Sequence, residues 1–116
     1  MAKIERTLNG DFHSILQTIH SGILGGSISA SFEDESFFEI PGGQVVTRVY
    51  ERYSYMGGNR VSLSVTLVGQ GTDVRLSAIT SGGSQAMFFK INTFGEGAFL
   101  DKLREIVYRY EADSRI

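Results

Sequence analysis

Glu51, Tyr53 and Tyr55 recur at every second position in the run ERYSYMGGNRV, residues 51–61. On a strand this spacing sets all three on one side, and a carboxylate among phenols has two chemical uses. It can take hydrogen bonds from them and head a ligand pocket, or it can act as a general acid–base if burial raises its pKa. Thr80 and Gln85, on later strands, are expected at the same end of the sheet. Glu51, Tyr53, Tyr55, Thr80 and Gln85 therefore form the candidate ligand-binding set, a few convergent polar groups closing an apolar pocket. The plainer expectation for the same residues is a satisfied Glu–Tyr hydrogen-bond network with no ligand. Catalysis has less support, because a nucleophilic serine needs a base and neither histidine is expected near the serine-rich strands.

The other chemistry-bearing residues carry less. His13 and His20 fall on one flank of the first helix, about 10 Å apart along its axis, too far to chelate one metal unaided. The sequence has no cysteine and no third histidine, so no zinc site is expected. Ser81-Gly82-Gly83-Ser84 lacks the lysine and following helix of a phosphate loop. Gly95-x-Gly97 has no third glycine, so no cofactor is implied.

These residues need elements to position them. Residues 3–8 alternate weakly, as an edge strand would. Asp11 is placed to cap a helix whose apolar stripe is Phe12, Ile15, Leu16, Ile19 and Ile23, ended by Gly22, Gly25 and Gly26. Ile28, Ala30 and Phe32 alternate with serines, Glu33-Asp34-Glu35 reads as an exposed turn, and 37–40 as a short strand stopped by Pro41-Gly42-Gly43. Val61, Leu63, Val65 and Leu67 share one face of the next strand. A four-residue loop, 69–72, sets Leu67 opposite Val74 and Val65 opposite Leu76, and it puts Val61 opposite Thr80. A Gly82-Gly83 turn then sets Leu76 opposite Phe89 and Ala78 opposite Met87. Each step keeps apolar residues on one face, which a one-residue slip would destroy. Thr93-Phe94-Gly95-Glu96 fits a capping box, and Phe99, Leu100, Leu103, Ile106, Val107 and Tyr110 make the stripe of a long final helix.

The direction of Glu51 depends on the hairpin at residues 57–59. A two-residue Gly58-Asn59 loop sends Arg48, Arg52 and Ser54 inward. A three-residue loop sends Val49, Glu51, Tyr53 and Tyr55 inward. Two inward arginines are harder to satisfy than one carboxylate among tyrosines, so the second register is preferred.

The predicted fold class is α+β: an antiparallel meander sheet gripping a long C-terminal helix, with one N-terminal helix after the first strand, in the order β-α-β(5)-α. The chain of 116 residues suits a single domain, 1–116, that buries roughly two-thirds of its unfolded surface. A net charge of −2 gives no general attraction to nucleic acid or anionic membrane. The acidic 33–35 run argues against base stacking by the aromatics. No apolar run approaches the ~18 residues of a membrane span, and MAKIERTLNG lacks a signal-peptide core. With no cysteine, a cytoplasmic protein is expected.

The element order resembles, in compact form, the helix-grip architecture of START and Bet v 1-like proteins, and that resemblance implies an apolar ligand held between sheet and long helix. NGDF (9–12), GSISAS (26–31), VYERYSYMGGNRVSL (49–63) and SAITSGGSQAMFFKINTFGEGAFLDKL (77–103) resemble a small bacterial domain family of unknown function, found mainly in Gram-positive organisms. That resemblance implies no activity, cofactor or catalytic residue. The expected function is a non-catalytic binding or interaction domain, with a small apolar molecule between sheet and C-terminal helix as its candidate ligand. Two alternatives stand beside it: a self-associating domain with a filled core, and a small enzyme with Glu51 as general acid–base. On the outer side of the last strands, Val68, Ile79, Ala86 and Phe88 form the candidate interface of a homodimer. Arg75 and Lys90 are set opposite each other at its edge.

Overall fold

A computed structural model describes residues 3–25, 30–54, 59–82 and 103–111. Its elements run β1 (Lys3–Asn9), α1 (Phe12–Gly25), β2 (Ser31–Ile40), β3 (Gly43–Ser54), β4 (Asn59–Gln70) and β5 (Asp73–Gly82), followed by a helix, α2, at 103–111. The strands form one antiparallel sheet in the order β1-β5-β4-β3-β2. The molecule is thus α+β, with a helix after the first strand and another towards the C-terminus. No described helix is long and apolar enough to cross a membrane.

Alternation decides which side of the sheet is covered. Val61, Leu63, Val65 and Leu67 of β4 are buried, as are Val74, Leu76 and Ala78 of β5, and Ile4 and Leu8 of β1. Both helices pack on this inner side. Asp11 starts α1 as expected: its Oδ2 accepts from Ser14 N at 2.9 Å, and its own carbonyl accepts from Ile15 N at 3.0 Å. A 14-residue helix is marginal alone. Burial of Phe12, Ile15, Ile19 and Ile23, at roughly 1.5–3 kcal/mol each, holds it in place. Leu103, Ile106 and Val107 of α2 join the same core.

Two glycines expected to mark turns or helix ends instead allow close packing. Gly22 lies within α1, where an added Cβ would come 2.5 Å from Ile106 Cδ1. Gly69 lies within β4, where a Cβ would come 2.5 Å from Phe12 Cδ1.

Several expected registers are displaced. The β4–β5 turn is Gly71-Thr72, with Gly71 at φ 62°, so Leu67 meets Leu76, Val65 meets Ala78 and Val61 meets Gly82. The shift is by two residues, which preserves every face, and alternation is blind to it. The far side of β5 is taken by β1, which sets Arg6 opposite Leu76 and Ile4 opposite Ala78. Phe89 and Met87, expected at those positions, lie outside the described residues. Arg75 faces Thr7 and Val68, and Lys90 lies outside the described residues. Glu33-Asp34-Glu35 belongs to β2, with a bulge between Phe32 and Asp34. The capping box at 93–96 lies outside the described residues, as do Phe99 and Leu100.

Candidate functional site

Pro41-Gly42 turns β2 into β3, with Gly42 at φ 77°, the left-handed value a type II turn needs after proline. Counting back from that turn pairs Phe37 with Val46, Glu35 with Arg48 and, past the bulge, Phe32 with Tyr50. On the other side β3 pairs with β4: Arg48 with Val65, Tyr50 with Leu63, Glu51 with Ser62 and Arg52 with Val61. Since Leu63 and Val65 face the core, Arg48, Tyr50 and Arg52 share the inner side and Glu51 and Tyr53 the outer.

The preferred register is thereby corrected. Glu51 points away from the core and accepts from Arg60 at 2.8 Å, and Tyr53 is 44% exposed on the same outer side. Thr80 is fully buried on the inner side, so the sheet separates it from Glu51 and Tyr53. Tyr55 and Gln85 lie outside the described residues. The expectation fails because inward arginines are easier to satisfy here than the comparison with one carboxylate among tyrosines allows. In the fold Arg48 Nε donates to Glu35 Oε2 at 2.6 Å, and its guanidinium lies over the Phe32 ring, 5.3 Å from the centroid. Delocalised charge over an aromatic face, with a carboxylate on the facing strand, is a favourable setting for arginine.

What the fold does assemble is a polar chain across three elements: Glu35 on β2, Arg48 and Tyr50 on β3, and His20 on α1. Arg48 donates to Glu35, and its charge acts on both Tyr50 and His20. Tyr50, fully buried, has its hydroxyl 2.9 Å from His20 Nδ1. Three rings surround this bond: His20 meets Phe32 edge-on at 5.4 Å, and Tyr50 lies 5.7 Å from His20 and 5.6 Å from Phe32.

The electrostatics follow from burial and from Arg48. Burial, and then the Arg48 charge, hold His20 below the ordinary imidazole pKa, with Glu35 opposing. Burial pushes the Tyr50 phenol up, partly offset by the neighbouring Arg48 guanidinium. Burial also works against the Arg48 charge, but its bond to Glu35 and the nearby Tyr50 outweigh that and keep its pKa above the usual value. The set is thus a hydrogen-bonded neutral imidazole and phenol beside an ion pair. His13 does not join it: it sits edge-on to Phe12 at 5.5 Å. Among the described residues no three His, Cys, Asp or Glu side chains converge on a metal position.

Sequence reasoning missed Glu35, Arg48, Tyr50 and His20 as a group. The usable signal was Pro41-Gly42, because a two-residue turn there fixes the Glu35–Arg48 pairing by counting. Shallow depressions occur elsewhere, one of ≈ 400 Å³ along β1 and β5 beside Thr7, Val68 and Arg75, another of ≈ 420 Å³ between Arg6 and Tyr108. Both are open to solvent and edged by long side chains, and neither converges buried polar groups as the His20–Tyr50 chain does.

Residues 1–111 match DUF6054, a family of unknown function, and the chain belongs to that family. No curated protein matches it.

Proposed function

We propose that this protein is a non-catalytic binding domain that receives a small, mostly apolar molecule along the inner side of β2, next to the His20–Tyr50 chain. One observation carries this reading: the inner side of the sheet is unevenly covered. Every inward apolar residue of β4 and β5 is buried, whereas Phe32 and Phe37, on the inner side of β2, remain 42% and 47% exposed. An apolar strip beside a few oriented polar groups is the usual composition of a small-molecule site. The placement of β1 beside β5, with a meander running out to β2, supports the helix-grip comparison and its ligand between sheet and helix. Catalysis by Glu51 is not favoured, since that carboxylate is paired with Arg60 on the opposite side. The test is native mass spectrometry of the purified protein, followed by amide NMR during titration with an alkyl probe such as decanol. A bound mass, or shifts confined to Phe32, Phe37 and their neighbours, is expected. No adduct together with no shifts would refute the reading.

The outer side favours a second reading, self-association. Ile79 is 42% and Phe38 64% exposed there, with Val68 half-buried between strands. Ala86 and Phe88, the other expected interface residues, lie outside the described residues. Sedimentation of the wild type and of Ile79→Glu tests it: a wild-type dimer converted to monomer is the expected result, and a wild type monomeric at micromolar concentration would refute it.

A further inference from the structure

The Tyr50 hydroxyl has a single hydrogen, and its burial settles where that hydrogen goes. Arginine can only donate, so the neighbouring Arg48 cannot take it. The phenolic hydrogen is then directed to His20 Nδ1, 2.9 Å away, and the neutral imidazole carries its own hydrogen on Nε2. The reverse arrangement, with Nδ1–H donating to the phenol, would leave a buried phenolic hydrogen without an acceptor, which is costly at a fully buried side chain.

We infer that the His20–Tyr50 bond is a proton-operated latch that holds the C-terminal half of α1 against β3, closed while His20 is neutral and released when the ring gains its second proton. The reason is proton inventory. Protonation turns Nδ1 from acceptor into donor and sets a second cation near Arg48, while the phenolic hydrogen loses its acceptor. Among the described residues, the charged or titratable groups facing His20 are Arg48 and Tyr50 from β3 and Glu35 from β2. Glu35 could compensate an imidazolium, but it is already bound to Arg48 at 2.6 Å. The Phe32 ring could also receive a cation, but Arg48 already lies over it. Each local means of stabilising the charged ring is therefore in use by Arg48. The depressed proton affinity of His20 agrees with this account. Around the bond stand the ring contacts that join α1 to β2 and β3, so its release would loosen the end of α1 nearest the exposed Phe32. The latch goes beyond the binding reading and stands whether or not a ligand occupies the site.

The experiment uses His13→Gln, which leaves His20 as the one histidine of the chain. Ring nitrogen NMR at neutral pH should show the hydrogen on Nε2; a hydrogen on Nδ1 would overturn the latch. On acidification the His20 ring should titrate below about pH 6.5, and amides of residues 18–25, 32 and 48–50 should shift with the same midpoint. His13→Gln/Tyr50→Phe should move that midpoint upward and decouple the amides from it. A midpoint at or above the ordinary value, or amides that do not follow the ring, would overturn it as well. If the double variant does not fold, the tautomer and the coupled midpoint in the single variant decide the matter alone.

Discussion

Replacing Gly22 by alanine probes the contact between α1 and α2. The added methyl would lie 2.5 Å from Ile106 Cδ1 and 2.6 Å from its Cγ1, where carbon atoms prefer about 3.5–4.0 Å. The Cδ1 can swing aside, but Cγ1 sits next to the branch point, so either Ile106 leaves its rotamer or the helices part. Such overpacking costs about 1–3 kcal/mol. Against it, alanine in a helix interior gains up to about 1 kcal/mol over glycine. The expected net is a loss of about 0–2 kcal/mol. Gly25→Ala supplies the control, since a Cβ there meets nothing within 4 Å and should be neutral or slightly stabilising. Urea denaturation followed by circular dichroism measures both variants, and the difference between them isolates the clash. In an Ile106→Ala background the methyl of Gly22→Ala should become neutral or favourable, a coupling that a double-mutant cycle reads directly. If Gly22→Ala is as stable as Gly25→Ala, the two helices do not meet at this point and the packing described for the inner side is wrong.

Leu103→Ala, at a fully buried position of α2, should cost about 2–5 kcal/mol in the same denaturation assay; a loss below about 1 kcal/mol would make α2 peripheral. Glu51→Gln removes a surface ion pair with Arg60 and should cost no more than about 1 kcal/mol, whereas a gain in stability would point to a buried acid. Asp11→Ala should lower the melting temperature by removing the cap on Ser14 N. Hydrogen bonds from Ser14 lower the folded pKa of Asp11, so its contribution is present above the unfolded value near 3.9 and lost as pH falls through the folded one. His20 is also depressed in the fold, but as a base. Its contribution is full above about pH 6.5 and lost as pH falls through the folded pKa, and Tyr50→Phe should flatten that slope in urea titrations at stepped pH.

The parts of the fold legible in the sequence are those where one physical demand dominates. The stripe of Phe12, Ile15, Ile19 and Ile23 has a single helical solution, and the alternation of Val61 to Leu67 has a single face. Asp11 is readable as a cap because a carboxylate directly before the apolar stripe can accept from the free amides of the first turn. β3 was not readable in this way, because both of its sides carry charge and tyrosine: Arg48, Tyr50 and Arg52 on one, Glu51 and Tyr53 on the other. Choosing between them by the cost of burial assumed that the inner side is closed at β3. It is half-open there, and a facing Glu35 with a Phe32 ring answers the guanidinium. Glu35 itself was hidden by its acidic neighbours, which read as a turn and are in fact a bulged edge strand. Gly22 and Gly69 look like punctuation because a sequence shows that a side chain is absent, not which neighbour fills the space.

The pairing of β1 with β5 has a consequence for how the chain acquires its shape. Ile4 and Leu8 complete the inner side only opposite Ala78 and Val74, strands separated by α1 and three intervening strands. The hairpins from β2 to β5 close locally, each needing only its neighbour, whereas β1 must wait for the far end of the meander. Non-local pairing of this kind slows folding, because loop closure precedes the contacts that reward it. On the ribosome β1 leaves first and meets its partner last. Until β5 emerges, its two buried apolar side chains and an unpaired strand edge stand open to other chains. The helix capped by Asp11 follows β1 directly and forms locally, so it can shelter Phe12 and the isoleucines early, but it cannot supply the missing edge. Assembly should therefore proceed meander first and N-terminal strand last, and the nascent chain is most exposed to association just before the sheet closes.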